Sequence, residues 1–77
     1  MNIKFNNVES IYQFCAMADQ YDTDIDLMSG RYLVDAKSIV GIFSLALDKP
    51  VQIVIHDDSV VDEIKEKMSA LNITIME

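Results

Sequence analysis

Apolar side chains along this chain fall into two spacings, every second residue in some stretches and every third or fourth in others, and the switches between them mark the elements. Residues 3–5 alternate as a short first strand. Asn7 then stands where a helix N-cap belongs, with Glu9 in the first turn. Val8, Ile11, Phe14, Cys15 and Ala18 follow at helical spacing, which predicts an amphipathic helix over residues 8–21. Ile25 and Leu27 alternate with Asp24, Asp26 and Met28; after Ser29 and Gly30 come Arg31, Tyr32, Leu33 and Val34, so the pair reads as a hairpin closed by a tight turn. Ser38 is placed to cap a short helix over residues 39–47, and Pro50 introduces a strand in which Val51, Ile53 and Ile55 share one face. A last helix, capped by Asp58 or Ser59, carries the apolar stripe Val60, Val61, Ile64, Met68 and Leu71 opposite a wet face of Asp62, Glu63, Lys65, Glu66 and Lys67. Residues 72–77 are apolar and β-branched, and the pattern leaves open whether they dock on the body or fray.

The order β-α-β-β-α-β-α suits helices packed on one face of an antiparallel sheet, the α+β way of covering amphipathic elements in one small layer pair. A chain of 77 residues closes one core, and an apolar fraction of 51% supplies it without staples. One Pro and two Gly leave no linker, so residues 1–77 read as a single domain.

Composition narrows the function classes. Cys15 is the only cysteine, which removes intramolecular disulfides and multi-cysteine metal sites and points to a reducing cytoplasm. The opening residues lack a signal-peptide apolar stretch, and no run is long enough to span a bilayer. With 6 Lys and Arg against 13 Asp and Glu, the net charge of -7 repels phosphate backbones and anionic headgroups, so neither nucleic acid nor membrane is the expected partner.

The segment Ser38-Ile39-Val40-Gly41-Ile42-Phe43-Ser44-Leu45-Ala46-Leu47 is apolar all round the helix rather than along one stripe. Such a helix is either buried on every side or offers apolar area to something else, and a domain this small has little room for the first. Ile42 and Leu45 are expected to face the sheet. Ile39, Val40 and Phe43 are expected to form a partly exposed patch, the usual mark of a partner.

At this point the sequence resembles the HPr family, the small phosphocarriers of the bacterial sugar phosphotransferase system. The stretch Ala36-Lys37-Ser38-Ile39-Val40-Gly41-Ile42-Phe43-Ser44-Leu45 is similar to the family's regulatory-serine motif. It follows a hairpin of family type, Gln20-Tyr21-Asp22-Thr23-Asp24-Ile25-Asp26-Leu27, and the match runs without gaps over about residues 7–55. The resemblance implies an open-faced β-sandwich, a four-stranded antiparallel sheet with three helices on one face. It also implies a phosphate-accepting histidine at the start of the first helix, with an arginine and a proline beside it. Here those positions hold Asn7, Glu9 and Ser10. A carboxamide offers no nucleophilic ring nitrogen, and Glu9 puts an anion where a phosphoryl group needs a cation. Read from the residues alone, Asn7 is a helix cap and Glu9 complements the positive end of the helix dipole.

Ser38 matches the serine that a dedicated kinase phosphorylates in Gram-positive relatives. Histidine-less relatives, the Crh type, act through that phosphoserine on a transcriptional regulator. A phosphate on Ser38 is expected to sit at a helix start beside Lys37 and the patch of Ile39, Val40 and Phe43, with Asp35 opposing it modestly. The resemblance thus implies a non-catalytic regulatory or adaptor domain with a protein partner, a serine kinase or a transcriptional regulator, and no cofactor or metal. Two rivals remain: a phosphocarrier working through another residue, for which His56 is the only imidazole, and a structural module whose patch makes a weak homodimer. Asp19, Asp22, Asp24 and Asp26 do not have calcium-loop spacing, and they read as a charged edge that discourages strand pairing. Cys15 is expected on the buried stripe as a small apolar filler.

Overall fold

In the computed structural model, which describes residues 1–45 and 47–76, five strands and three α-helices follow the rhythm of the sequence closely. The strands are β1 (Asn2–Phe5), β2 (Ile25–Ser29), β3 (Tyr32–Asp35), β4 (Val51–Ile55) and β5 (Ile73–Met76); the helices are α1 (Val8–Ala18), α2 (Ile39–Phe43) and α3 (Val61–Ala70). All strand pairings are antiparallel, in the order β3-β2-β4-β1-β5.

The register explains why one face is covered. Ile3 lies opposite Val51 and Ile75, Phe5 opposite Ile73, Leu27 opposite Ile53 and Val34, and Ile25 opposite Ile55, which gathers these side chains on one face. Ile3, Ile25 and Leu27 are fully buried there. The other face carries Asn2, Lys4, Asp26, Met28, Leu33, Gln52, Val54 and Thr74 and stays open. All three helices contribute to the core on the covered face: Phe14 and Ile11 from α1, Ile42 from α2, Ile64 and Met68 from α3. Phe14 meets Phe5 edge to face at 5.3 Å, a geometry worth about 0.5–1.5 kcal/mol beyond area burial.

The α+β arrangement expected from the pattern and the open-faced sandwich that the resemblance implies are both observed, with one correction. The sheet has five strands, because part of the unassigned tail forms β5 along the free edge of β1. Asn72 permits the reversal. Its φ of +61° is left-handed, a conformation Asn tolerates just past a helix end, and Asn6 ties the new strand by donating to the Asn72 carbonyl and the Thr74 hydroxyl, both at 2.9 Å. At the β2–β3 hairpin, Gly30 takes φ +59° at the first turn position, where the favoured tight turns need a positive angle.

Both early helices are shorter than their apolar runs. α1 ends at Ala18 rather than at residue 21, since acidic Asp19 oppose the helix dipole and Gln20 and Tyr21 turn in with three-residue bonds to Met17 and Ala18. α2 ends at Phe43 rather than at residue 47. There the Ser44 hydroxyl donates to the Gly41 carbonyl at 2.6 Å, while the Ser44 and Leu45 amides also make three-residue bonds. Ala46, within the expected helix, and Glu77, within the expected tail, lie outside the described residues. Asp57, not Asp58 or Ser59, caps the last helical stretch, accepting from the Ser59 amide at 3.0 Å and starting a 3₁₀ turn (Asp58–Val60) that runs into α3. Val8 also departs from the expected stripe, being 58% exposed, and Ser10 and Met17 are buried on α1 instead.

Candidate functional site

The start of α1 is closed by its own residues. The Asn7 side-chain carbonyl accepts from the Ser10 amide at 2.7 Å, and the Ser10 hydroxyl donates back to the Asn7 carbonyl at 2.7 Å. Ser10 is almost fully buried, so its hydroxyl belongs to this reciprocal cap and does not face solvent. Glu9 is exposed and accepts from the Gln13 side chain one turn on, at 3.3 Å. The three residues registered with the phosphate site thus form a side-chain-capped helix start.

His56 is far from that start. It follows β4 at the end paired with the beginning of β2, whereas Asn7 follows the opposite end of β1, so the register puts the two at opposite ends of the sheet. The His56 ring nitrogen Nε2 lies 2.9 Å from the Asp26 carboxylate on the open face. Among the described residues, no group of three or more His, Cys, Asp or Glu converges as a metal site.

Around α2 the picture differs. Ser38 caps the helix, its hydroxyl oxygen accepting from the Gly41 amide at 3.2 Å, and the residue is exposed. Gly41 allows close docking on β3: a Cβ there would meet the Val34 Cβ at 3.3 Å. Ile42 is fully buried beneath, and Leu45, in the turn after α2, nearly so. The other side faces out, with Val40 79% exposed, Phe43 42% exposed and Ile39 half-buried.

Sequence reasoning missed Tyr12. It is 57% exposed on α1, and its ring lies 5.6 Å from that of Phe43, so the apolar patch crosses from α2 onto α1 and reaches Val8 one turn before. The signal was present as an aromatic residue off the buried stripe, but the ring it meets is far along the chain. Beside the pair runs a shallow groove lined by Tyr12, Cys15, Ala16, Asp19, Lys37 and Ile39.

Two groove residues are engaged in ways the pattern did not foretell. The Lys37 ammonium donates to the Tyr21 carbonyl, and its amide donates to the Asp35 carboxylate at 2.8 Å, so its charge points toward the end of α1 rather than over Ser38. Cys15 is half-buried, not on the fully buried stripe, and its thiol donates to the Lys37 carbonyl at 3.3 Å. Burial, and then the charges of Asp19 and Asp35, push its pKa up, which disfavours the nucleophilic thiolate. No helix among the described residues is long and apolar enough to cross a membrane.

No protein-family model matches the chain, and no curated protein sequence matches it. Solved structures do. A crystal structure of selenomethionyl Crh, a catabolite repression protein of Bacillus subtilis described as an intertwined dimer with an unexpected swapped domain, is 26% identical, with a TM-score of 0.66 over 88% of this chain and 79% of that one. The fold is therefore HPr-like.

Proposed function

We propose that this chain is a non-catalytic HPr-like regulatory or adaptor domain of the bacterial cytoplasm, which binds a protein partner through α2 and the adjoining face of α1. The observation that carries the reading is the exposed apolar surface of Val40 and Phe43 on α2, whose other side is committed to the core, continued by Tyr12 on α1. The closed cap of Asn7 and Ser10, with Glu9 beside it, supports the absence of histidine phosphotransfer at the start of α1. Ser38 is the proposed switch. Its exposed hydroxyl adjoins the patch, and a phosphate there adds charge to an apolar docking surface. With only five residues in α2, the helix dipole contributes little to that phosphate, and Lys37 must release the Tyr21 carbonyl to pair with it.

The test uses a serine kinase of the HPr type with ATP, followed by binding to a transcriptional regulator of the kind on which Crh-type proteins act. Phosphate at one site, lost in Ser38→Ala, and binding lost in Phe43→Ala are the expected results. Binding that survives Phe43→Ala with Val40→Ser would refute the docking face, and an unmodified Ser38 would refute the switch. A second reading is a homodimeric module, favoured by the description of Crh as an intertwined dimer. Sedimentation at micromolar concentration separates the two, since the regulatory reading expects a monomer before the partner is added.

A further inference from the structure

The groove between α1 and α2 has apolar walls and an acidic margin, and the combination specifies what can sit in it. Tyr12, Cys15 and Ala16 line it from α1 and Ile39 from α2. Asp19 lines the groove, and Asp35 accepts from the amide of Lys37, another lining residue, at 2.8 Å, which places two exposed carboxylates at its margin. Lys37 also lines the groove, but its ammonium is turned to the Tyr21 carbonyl, and both carboxylates stay exposed. A second copy of this chain would bring another net charge of -7 and its own carboxylates against the same margin, and anionic lipid or nucleic acid would meet the same repulsion.

We infer that this groove takes a basic amphipathic segment of a partner protein, with an apolar side chain seated between Tyr12 and Ile39 and a lysine or arginine against Asp19 and Asp35. The inference rests on the docking reading given above and adds the chemistry of the partner. An arginine has a further contact, because its planar guanidinium can lie on the exposed Tyr12 ring, which already leans on Phe43. An apolar groove flanked by charge is the usual seat for one face of a short helix.

The experiment titrates the full ¹⁵N-labelled chain with two synthetic amphipathic peptides of equal length, one of Leu, Ala and Arg and the other of Leu, Ala and Glu. The arginine peptide is expected to shift the amide signals of Tyr12, Cys15, Ile39 and Phe43. Asp19→Asn with Asp35→Asn should weaken its Kd about fivefold, while Asp62→Asn with Glu66→Gln, which removes the same charge from α3, should change it less than about twofold. Asparagine at position 35 keeps a carbonyl for the Lys37 amide, so the groove should survive the substitution. Equal loss in the two double variants would overturn the inference, because attraction would then be diffuse. Seating of the glutamate peptide on the same residues with equal affinity would overturn the basic partner and leave the docking face standing. Shifts with neither peptide would also overturn it, and the docking face would then be decided by the Phe43→Ala measurement with the regulator.

Discussion

At the start of α1 the chain closes on itself, and at the seam between α1 and α2 it does not. Asn7 and Ser10 exchange hydrogen bonds and Ser10 is buried, so the amide and the hydroxyl of Ser10 are both committed to the cap. Along the seam, Tyr12 and Phe43 touch each other yet remain largely in water, with Val40 beside them. Both regions sit on the same small scaffold, and both begin at a helix capped by a polar side chain. The difference teaches that a capping residue by itself does not locate function; apolar area left in water is the better guide.

The sharpest contrast lies within α2. Ile42 is fully buried and Val40 is 79% exposed, two residues apart. Ile42→Ala is expected to cost about 2–5 kcal/mol, and Val40→Ala to stay within about 0.5 kcal/mol, both read from urea unfolding. Comparable losses at the two positions would mean that the outer side of α2 is held by the fold and is not a free surface. At the other region, Asn7→Ala should cost about 1 kcal/mol by loss of the cap, with binding through the seam unchanged. A binding defect in that variant would join the two regions that the geometry separates.

The smallest effect lies away from both regions and gauges the scaffold that carries them. Glu63 of α3 accepts from the Tyr21 hydroxyl at 2.7 Å, and that bond, and then Lys67, hold its carboxyl below the usual range. A carboxyl lowered by folding adds stability above its unfolded pKa and loses it as pH falls through the folded value. Tyr21→Phe should therefore melt below wild type near neutral pH, with the gap closing in acid. A gap independent of pH would assign the loss to packing of the Tyr21 ring, over which the Lys67 ammonium lies at 4.8 Å, rather than to the carboxylate.

What the sequence made legible was local. The Asn7 cap, the Gly30 turn, the β4 alternation and the two-sided character of α2 are written in neighbouring residues and could be read directly. β5 was not readable, because its pairing partner β1 lies at the other end of the chain and its reversal depends on a left-handed Asn72. The ends of α1 and α2 were overestimated for a different reason: apolar periodicity continues past the point where Gln20 and Tyr21, and then Ser44 and Leu45, take tighter three-residue turns. Tyr12 needed Phe43 before it could be placed in the site, and the direction of the Lys37 ammonium needed Tyr21.

The contrast between a closed α1 start and an open seam is tested most directly by the intact mass of the wild-type chain after incubation with enzyme I and phosphoenolpyruvate. The expected mass is unchanged. An acid-labile phosphoryl group on the wild-type protein, retained in His56→Ala and absent from a variant at the α1 start, would contradict it.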